Sequence, residues 1–416
     1  MILMSTFDEK LNARKIKRPS RFLYKTLFPY MNRKIMKKCN AQIHYEIRTC
    51  ADELKTPFLV LANHPSRRDP FYVAISMLPH RLTPLANRHF FHKRITGFLM
   101  KKMGAIPKRV YQSDTYALKE MLRAAKAGWP LMISPEGMNS YSGESMGIMP
   151  SIVKLVKHLK LPVVGVKIEG GFLTLAKWRQ TEKPRIGRVD ITVKQLFQSN
   201  DLSAMSDNEI LEHISKELYY DDFEWSSQNQ IEWRGGNLAR NVEHAIYLCP
   251  RCESEFAIKT HGDTIECGNC GNGAVINKYY EIVPFDETCV IPKSISKWYN
   301  LQRDNLRNSI QDDDFALQDN VKLVMFNKKG YKEKVVGEGI LTLTNKTLTY
   351  RHTKGESITL DIACTDLQGV VLKYNKGIYL YHQDTYYCFH LDKGNTSVKW
   401  AIAAEQICKV YSEKQR

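Results

Sequence analysis

The sequence has 416 residues, and 43% of them are hydrophobic. A chain of this length is too long for one ordinary core and can form two or three globular domains. Its formal net charge is +17, and no stretch approaches the roughly eighteen consecutive apolar residues of a membrane-spanning helix. The apolar run at residues 1–4 is too short for a signal peptide, so we expect a cytoplasmic protein that does not cross a membrane.

The segment of residues 1–40 is strongly basic, with eleven Lys or Arg side chains against Asp8 and Glu9. Aromatic and aliphatic side chains are mixed with these charges, a composition typical of a helix lying in a lipid headgroup layer. Pro19 and Pro29 predict that this helix is broken into short pieces. The segment predicts binding to an anionic surface, the cytoplasmic face of a membrane. A basic helix docked on its own protein is the alternative.

Between residue 41 and about residue 197, short apolar runs alternate with helical periodicity, which predicts a βαβα layer. One helix presents an apolar face ahead of a strand at 130–133, and a second does so ahead of a strand at 162–168. The first face comprises Leu118, Met121, Leu122 and Ala125, and the second Ile152, Leu155, Val156 and Leu159. His158 lies on the polar side of the second helix and is predicted to be solvated. A capping box at Ser206 and Glu209 predicts one further helix.

A histidine and an aspartate follow the first buried strand of this layer. His64 comes just after the apolar run 58–62, and Asp69 opens the next predicted helix. Pro65 breaks the chain between them, so the carboxylate can accept the second N–H of the imidazole and fix its tautomer. Such a histidine can take the proton of a substrate hydroxyl without any nucleophilic Ser or Cys. A capping aspartate beside a surface histidine is the alternative.

A second loop of interest follows the strand at 130–133. Glu136 and Gly137 place a carboxylate and a bare backbone where a polyol hydroxyl could be bound, and Ser140 adds a hydroxyl donor. An ordinary strand-to-loop turn is the alternative. The loop is therefore a candidate element for binding a hydroxyl-bearing substrate.

Four segments, taken in order, resemble the sequence blocks of the 1-acylglycerol-3-phosphate acyltransferase family, the lysophospholipid and glycerolipid acyltransferases. The resemblance covers roughly residues 41–197, and both the order and the spacing agree. The segments are 63–70 (NHPSRRDP), 104–109 (GAIPKR), 134–140 (SPEGMNS) and 161–166 (LPVVGV).

This resemblance implies an α/β fold with a mixed central sheet flanked by helices. It implies acyl transfer from acyl-CoA or acyl carrier protein to the free hydroxyl of lysophosphatidate or a related lysophospholipid. His64 would be the catalytic base and Asp69 its partner. The second segment would supply a cation for the acceptor's phosphate. Because its arginine stands one position early, either Lys108 or Arg109 fits this role.

Two further features concern the acceptor. Arg67 and Arg68 can attract phosphate groups, with plain surface charge as the alternative. The third segment departs from the family pattern, because Met138 and Asn139 replace the usual Thr-Arg and remove a cation near the acceptor. This change bears more on which substrate is accepted than on the type of reaction.

Four of the ten cysteines form two Cys-x-x-Cys pairs, a spacing that predicts a tetrahedral thiolate site for Zn²⁺. These four are Cys249, Cys252, Cys267 and Cys270. Because all four positions are filled, the zinc is expected to be structural and held in a zinc ribbon, and disulfides are the alternative that a reducing cytosol disfavours. His261, between the pairs, is predicted to be a solvent-facing turn residue.

Zinc ribbons often bind nucleic acid, and this chain is basic. The part of the ribbon between residues 249 and 276, however, has two basic residues against four acidic ones, and Phe256 is its one aromatic residue. It therefore lacks the basic stripe and stacking platform that single strands require, and nucleic acid is not the expected partner.

The remaining sequence predicts a polar amphipathic helix at 292–311, then strands joined by a turn at Asn345-Lys346, and a terminal helix. The buried face of that helix would comprise Trp400, Ala403, Ala404 and Ile407. The strands and helix weakly resemble a pleckstrin-homology or GRAM-type module, which implies lipid or protein docking. A purely structural role is the alternative.

The predicted organisation therefore has five parts: a basic membrane-surface segment at 1–40, an acyltransferase domain at 41–235, a zinc ribbon at 245–280, a linker helix at 281–319 and a β-rich domain at 320–416. The rival to an enzyme is a non-catalytic zinc-ribbon scaffold that binds lipid, a partner protein or nucleic acid.

Overall fold

The computed structural model describes residues 6–46, 54–179, 183–326, 332–383 and 385–414. Within these residues the chain forms three β-sheets of seven, four and seven strands. The first sheet belongs to the predicted βαβα layer, the second to the cysteine-rich insert and the third to the C-terminal part. No helix in the described ranges has both the length and the apolar character needed to span a bilayer.

The first sheet is mixed, as predicted, with the strand order β1-β7-β6-β2-β5-β3-β4. Strands β2 to β6 run parallel, whereas β7 is antiparallel to β6 and parallel to β1. The strands are β1 (Ala41–Tyr45), β2 (Leu59–Ala62), β3 (Thr83–Asn87), β4 (Ile106–Lys108), β5 (Leu131–Ile133), β6 (Val163–Glu169) and β7 (Val189–Phe197). This arrangement confirms the predicted fold class.

Strand β2 lies near the middle of this sheet and is buried on both faces. Leu59 and Leu61 pack into one hydrophobic cluster, and Val60 and Ala62 pack into another. Successive side chains of a strand point to opposite faces, so an unbroken apolar run is what a sheet covered on both sides requires. This strand carries the predicted histidine at its carboxyl end.

Helices α1 to α10 are interspersed with these strands. Helices α5 and α6 and the capped helix α9 confirm the three predicted helices. The bounds are α1 (Thr6–Asn12), α2 (Phe28–Cys39), α3 (Asp69–Ser76), α4 (Arg94–Lys102), α5 (Thr115–Lys126), α6 (Ser151–Leu159), α7 (Gly171–Thr174), α8 (Asp201–Ala204), α9 (Asp207–Leu218) and α10 (Asp222–Gln228). Short 3-10 turns occupy Arg88–His92, Val242–His244 and Gly394–Thr396.

The predicted face of α5 was offset by one residue. Leu118 is 40% exposed, whereas Ala117, Met121 and Ala124 are buried in the cluster beneath the helix. The two alanines let the helix approach the sheet closely, and this packing decides its rotation. In α6, His158 is exposed, as predicted.

The N-terminal segment corrects one prediction. Pro29 does not break the helix, because a π-turn, Leu23–Leu27, runs directly into α2. The backbone N–H of Phe28 donates to Leu23 O across this wider turn. A proline lacks the N–H of a regular helical bond and its ring needs room, and the wider turn satisfies both conditions. Pro19 lies outside the helices, as predicted.

This segment has a docked side and a solvent side. Leu23, Tyr24 and Phe28 pack with Ala74 and Met103 of the first domain, as the docked-helix alternative proposes. On the other side, Phe22 and Tyr30 are 70% and 62% exposed. Docking on the domain therefore leaves apolar surface and charge available to solvent.

The cysteine-rich insert forms a four-stranded antiparallel sheet in the order β11-β10-β9-β8. Its strands are β8 (Ile258–His261), β9 (Thr264–Cys267), β10 (Gly273–Ile276) and β11 (Ile282–Pro284). Helix α11 (Ile295–Ser309) follows, as predicted, and packs on the insert, because the indole Nε1 of Trp298 donates to Leu248 O at 2.8 Å.

The C-terminal sheet is antiparallel, in the order β15-β14-β13-β12-β18-β17-β16, and α12 (Ser397–Lys414) follows it. The strands are β12 (Ala316–Phe326), β13 (Glu333–Thr344), β14 (Thr347–Gly355), β15 (Thr359–Ala363), β16 (Val371–Lys373), β17 (Gly377–His382) and β18 (Thr385–Leu391). The turn between β13 and β14 falls at Asn345-Lys346, and the predicted face of α12 is buried. The β-rich character is confirmed, and the pleckstrin-homology or GRAM resemblance stays a prediction.

One hydrophobic cluster joins the edge of the first domain to the insert, α11 and the C-terminal part. A single hydrophobic cluster contains Tyr141 and Phe172 beside the first sheet, Cys249 of the insert, Trp298 of α11 and Trp400 of α12. The C-terminal sheet therefore packs directly against a loop of the first domain. The boundaries of the five predicted segments stay a prediction.

Candidate active site and metal centre

The loops that carry the predicted site leave the same edge of the first sheet. Because β2 to β6 are parallel, their carboxyl ends lie together, where α/β sheets place their binding crevices. Strand β2 lies between β5 and β6. The loop after β2, with His64, is therefore flanked by the loop after β5, with Glu136, and by the segment after β6.

His64 and Asp69 form a hydrogen-bonded pair. Asp69 Oδ2 lies 2.8 Å from His64 Nδ1, and the side chains are 0% and 20% exposed, respectively. A carboxylate only accepts hydrogen bonds, so in the neutral imidazole the proton lies on Nδ1 and the other ring nitrogen, Nε2, carries the free lone pair. The partly exposed imidazole has the tautomer that a general base needs.

Asp69 is fully buried and is held by the chain around it. Ser66 donates its backbone N–H to Oδ2 and its hydroxyl to Oδ1, both at 2.7 Å. Burial raises the pKa of Asp69 above its usual range, and the hydrogen bonds from His64 and Ser66 oppose that rise. Three donors directed at one carboxylate fix its orientation toward the imidazole.

Asn139 stands where the resemblance leads one to expect a cation. Its amide Nδ2 donates to Ser66 O at 2.8 Å and lies 3.0 Å from His64 Nδ1. One of its two N–H groups is directed to the Ser66 carbonyl, and this bond braces the His64 loop, whereas Nδ1 donates to Asp69. Asn139 therefore supports the loop through a neutral contact.

Glu136 is placed directly beneath the histidine. Its Oε1 accepts the backbone N–H of His64 at 2.8 Å, and its Oε2 accepts that of Met146 at 2.9 Å. Burial raises the pKa of Glu136 to about 8, and the two N–H donors work against this rise. Both oxygens are thus directed at backbone groups that hold two loops together.

Gly137 and Ser140 shape the same loop. Gly137 has φ +77°, and a Cβ there would lie 2.9 Å from Met149 Sδ, so glycine is required. The hydroxyl of Ser140 donates to Glu144 O at 2.7 Å and accepts from Gly143 N at 2.8 Å, and the side chain is fully buried. The Ser140 backbone N–H donates to His64 O at 3.0 Å. The hydroxyl of Ser140 therefore bonds within its own loop.

The predicted cations lie in two places. Lys108 ends β4 and Arg109 follows it, and β4 is three strands from β2, which is about 14 Å at the usual strand spacing. The Lys108 ammonium donates to Gln112 O at 2.8 Å, and burial lowers its pKa.

Arg67 and Arg68 share the loop of His64. Arg67 is exposed, and Arg68 Nη1 donates to Cys39 Sγ at 3.2 Å. Only this second pair lies in the immediate loop of the histidine.

The four predicted cysteines converge on one point. Their Sγ atoms all lie within 4.8 Å of one another, with Cys249 and Cys270 3.7 Å apart and Cys252 and Cys267 3.8 Å apart. Four thiolates around a zinc ion at about 2.3 Å stand about 3.8 Å apart, so the residues fit tetrahedral Zn²⁺. All four cysteines are free of disulfides, and a four-Cys metal site is compatible with the geometry.

Side-chain amides support this cluster. Asn269 Nδ2 lies 3.7 Å from Cys252 Sγ, and Asn272 Nδ2 lies 3.7 Å from Cys249 Sγ. Such contacts orient thiolate ligands. His261 is exposed at the end of β8 and is outside the four-Cys group, as predicted.

Sequence reasoning missed two contributors to this edge, Lys177 and Tyr141. Lys177, after β6, lies with its ammonium 4.1 Å from the ring centroid of Tyr141. Tyr141, next to Ser140, bonds in turn to the C-terminal sheet, because its hydroxyl accepts from Leu372 N at 3.0 Å and its carbonyl accepts from Tyr374 OH at 2.6 Å. No local pattern in the sequence marks these contacts, which join residues far apart along the chain.

Comparison with known proteins gave a family match and a structural alignment. Residues 38–169, which include the His64 and Glu136 loops, match the family model described as Acyltransferase. Among solved structures, the chain aligns with that of the 1-acyl-sn-glycerophosphate (LPA) acyltransferase PlsC from Thermotoga maritima, at 18% identity and a TM-score of 0.37, over 51% of this chain and 85% of that chain. A search of curated proteins gave no match. The family match supports acyl transfer in general for this part of the chain.

Proposed function

We propose that this acyltransferase moves a fatty acyl group from acyl-CoA or acyl carrier protein to the free hydroxyl of lysophosphatidate or a related lysophospholipid, a step of phospholipid biosynthesis. The observation that carries the proposal is the pair of His64 and Asp69, joined at 2.8 Å at the edge of the sheet within the acyltransferase match. The fixed tautomer leaves Nε2 of His64 to act on the acceptor.

In the proposed reaction, Nε2 of His64 takes the proton of the acceptor hydroxyl as its oxygen attacks the thioester carbonyl. The tetrahedral intermediate then breaks its carbon–sulfur bond, and the leaving thiolate takes the proton from the imidazolium. Asp69 stabilises that imidazolium while it exists. General-base catalysis of this kind contributes about 10²- to 10⁴-fold, and positioning of the substrates supplies more.

Glu136, Gly137 and Ser140 are proposed to shape the acceptor side of the site by holding the loop against His64. Lys108 and Arg109 are proposed as phosphate contacts further along the same edge. Arg67 and Arg68 place two positive charges on the loop of the base itself. The four cysteines are proposed to bind a structural Zn²⁺ that holds the ribbon together.

We also propose that the protein lies on an anionic membrane surface through an apolar patch that includes α4. We call this patch the α4 surface; it consists of Phe22, Phe90, Ile95, Phe98 and Leu99, which are 70%, 41%, 79%, 59% and 38% exposed. Ser20 N donates to Lys102 O at 3.0 Å, so the N-terminal segment and the end of α4 are adjacent. Exposed side chains of Lys93, Arg94 and Lys102 border the patch.

This combination of large apolar side chains with a cationic border is typical of a surface that enters the headgroup layer of an anionic bilayer. Helix α4 follows β3 through a single 3-10 turn, and the carboxyl end of β3 lies at the same edge as His64. A bilayer bound to the α4 surface would therefore lie beside the edge where a lipid acceptor must enter.

The proposal is tested with the purified full chain, a panel of lysophospholipids, and long-chain acyl-CoA or acyl carrier protein as donors, with products identified by mass. We expect diacylated product from lysophosphatidate and at least a 100-fold lower rate for His64→Ala. A variant as fast as the wild type would exclude His64 as the base. Absence of any acyl product would favour the non-catalytic scaffold.

A further inference from the structure

Lys177 lies on a segment that contacts the loop of His64, although it is far from the histidine in sequence. It follows β6, the strand next to β2, after the short helix α7. Gly171 at the start of α7 touches the His64 loop, since a Cβ there would lie 3.1 Å from Pro65 Cγ and 3.6 Å from Asp69 Oδ1. The segment that ends in Lys177 therefore packs directly on the loop of the catalytic pair.

The ammonium of Lys177 is buried and has no hydrogen-bond acceptor in the described parts of the chain. It sits 4.1 Å from the ring centroid of Tyr141, an aromatic face that attracts a cation. That face is held in place, because Leu372 and Tyr374 bond the hydroxyl and the carbonyl of Tyr141. The aromatic ring orients the ammonium but does not neutralise it.

A second positive charge acts on this group from the His64 loop. Burial lowers the pKa of Lys177 to about 7, and the charge of Arg67 adds to this effect. No carboxylate of the described residues pairs with Lys177. A buried cation beside another cation is unfavourable unless an anion joins them, so the arrangement is one that an anionic ligand would stabilise.

We infer that Lys177 and Arg67 together bind a phosphate group of the substrate beside His64. This inference rests on the proposed function and names the residues that select a phosphorylated acceptor. In lysophosphatidate the phosphate and the attacking hydroxyl are on neighbouring carbons of glycerol, which suits a cation pair close to the base. In acyl-CoA the pantetheine arm separates the phosphates from the thioester, so a donor phosphate suits this position less well.

The test compares Lys177→Met and Lys177→Arg with the wild type, using lysophosphatidate and an uncharged monoacylglycerol as acceptors and varying acyl-CoA separately. We expect Lys177→Met to raise the KM for lysophosphatidate about 10- to 100-fold, the effect of losing one charge-assisted hydrogen bond, with kcat and the KM for acyl-CoA within about twofold. Lys177→Arg should restore most of the loss. The monoacylglycerol kinetics should not change.

Two outcomes would overturn the inference: a rise in the KM for acyl-CoA alone, which would assign the phosphate to the donor, or an equal loss with both acceptors, which would indicate a structural role.

A binding readout separates this inference from the proposed function. Glycerol 3-phosphate, but not glycerol, should raise the Tm of the wild type and leave that of Lys177→Met unchanged. If that shift occurs without acyl transfer, the phosphate site stands and the proposed reaction fails; if it does not occur in an active enzyme, the site fails.

Discussion

The backbone N–H of His64 donates to Oε1 of Glu136 across 2.8 Å, so the proposed base is positioned by a carboxylate from the neighbouring strand's loop. The other oxygen, Oε2, holds Met146 N at 2.9 Å, and the whole side chain is 3% exposed. The same Glu136 thus connects two loops on either side of the site. Its importance follows from this connection and does not require direct contact with substrate.

We therefore expect Glu136→Gln to lower both stability and activity. An amide presents one N–H₂ group to a backbone N–H, so one buried donor loses its acceptor, at a cost of about 1–3 kcal/mol. The measurement is the free energy of unfolding by denaturant, together with kcat. Glu144→Gln, in the same loop and less buried, is the comparison. An unchanged unfolding midpoint for Glu136→Gln would show that the two backbone bonds contribute little.

Asp69→Asn should reduce kcat by about 10²- to 10⁴-fold with little change in the KM for acyl-CoA. Oδ2 accepts from both Ser66 N and His64 Nδ1, so an asparagine keeps its oxygen at that position and turns its N–H₂ toward the Ser66 hydroxyl, which can accept. The imidazole tautomer is then kept, but the negative charge that stabilises the imidazolium is lost. The double variant with His64→Ala should be no slower than His64→Ala alone, because the two residues act as a unit. Additive losses would contradict the proposed pairing.

The acceptor KM of the wild type should rise as the pH increases through about 7 to 8.5. The pKa of Lys177 is lowered to about 7 by burial, so its side chain is positively charged below that pH. Above that pH it loses the proton and the charge, and the contact with the phosphate weakens. Arg67, the second cation, stays charged throughout this range. The KM of Lys177→Arg should lack the rise, and the difference between the two profiles removes contributions that both proteins share, such as that of the substrate. Parallel profiles would contradict the assignment.

Charges introduced into the α4 surface should release the protein from anionic membranes. We expect the double variant Ile95→Asp and Phe98→Asp to reduce the fraction bound to phosphatidylglycerol vesicles at least tenfold in flotation, because each buried apolar side chain contributes about 1.5–3 kcal/mol. The control is Val290→Asp, at a side chain 51% exposed in the loop before α11. Equal binding of the double variant and the wild type would exclude this surface, as would equal loss in the control.

Removal of zinc should destabilise more than the ribbon. Cys249 lies in the same hydrophobic cluster as Trp298 and Trp400. The indole N–H of Trp298 donates to Leu248 O, next to the first Cys-x-x-Cys pair. We expect about one zinc per chain by elemental analysis, and a lower Tm after chelation or in Cys252→Ser. Cys289→Ser, outside the cluster, should keep both the metal and the Tm. A chelated protein with an unchanged Tm would contradict a structural metal.

Local patterns predicted much of this molecule. The apolar run of β2, the periodicity of α6 and the turn at Asn345-Lys346 each depend on neighbours in sequence, and each was predicted correctly. The rotation of α5 was not, because the close approach of Ala117 and Ala124 to the sheet is decided by tertiary packing. Pro29 was misjudged because a π-turn accommodates it.

The candidate site was predicted only in part for the same reason. His64, Asp69 and Glu136 lie in motifs, and the structure brings them into one cluster, whereas Lys108 and Arg109 lie some strands away. Lys177 lies in no motif, and its position becomes meaningful only when β6 is placed beside β2. A pattern of sequence letters also does not reveal that both Glu136 oxygens face backbone N–H groups.

The bonds of Tyr141 to Leu372 and Tyr374 join residues 231 and 233 positions apart. During synthesis on the ribosome, strand β16 emerges only after most of the chain has been made, so the loop beside His64 lacks its final support until then. A nascent chain that already contains every motif residue of the first domain therefore still lacks the bonds that hold Tyr141. The support of this loop is completed late in translation, when the last strands pack against the first domain.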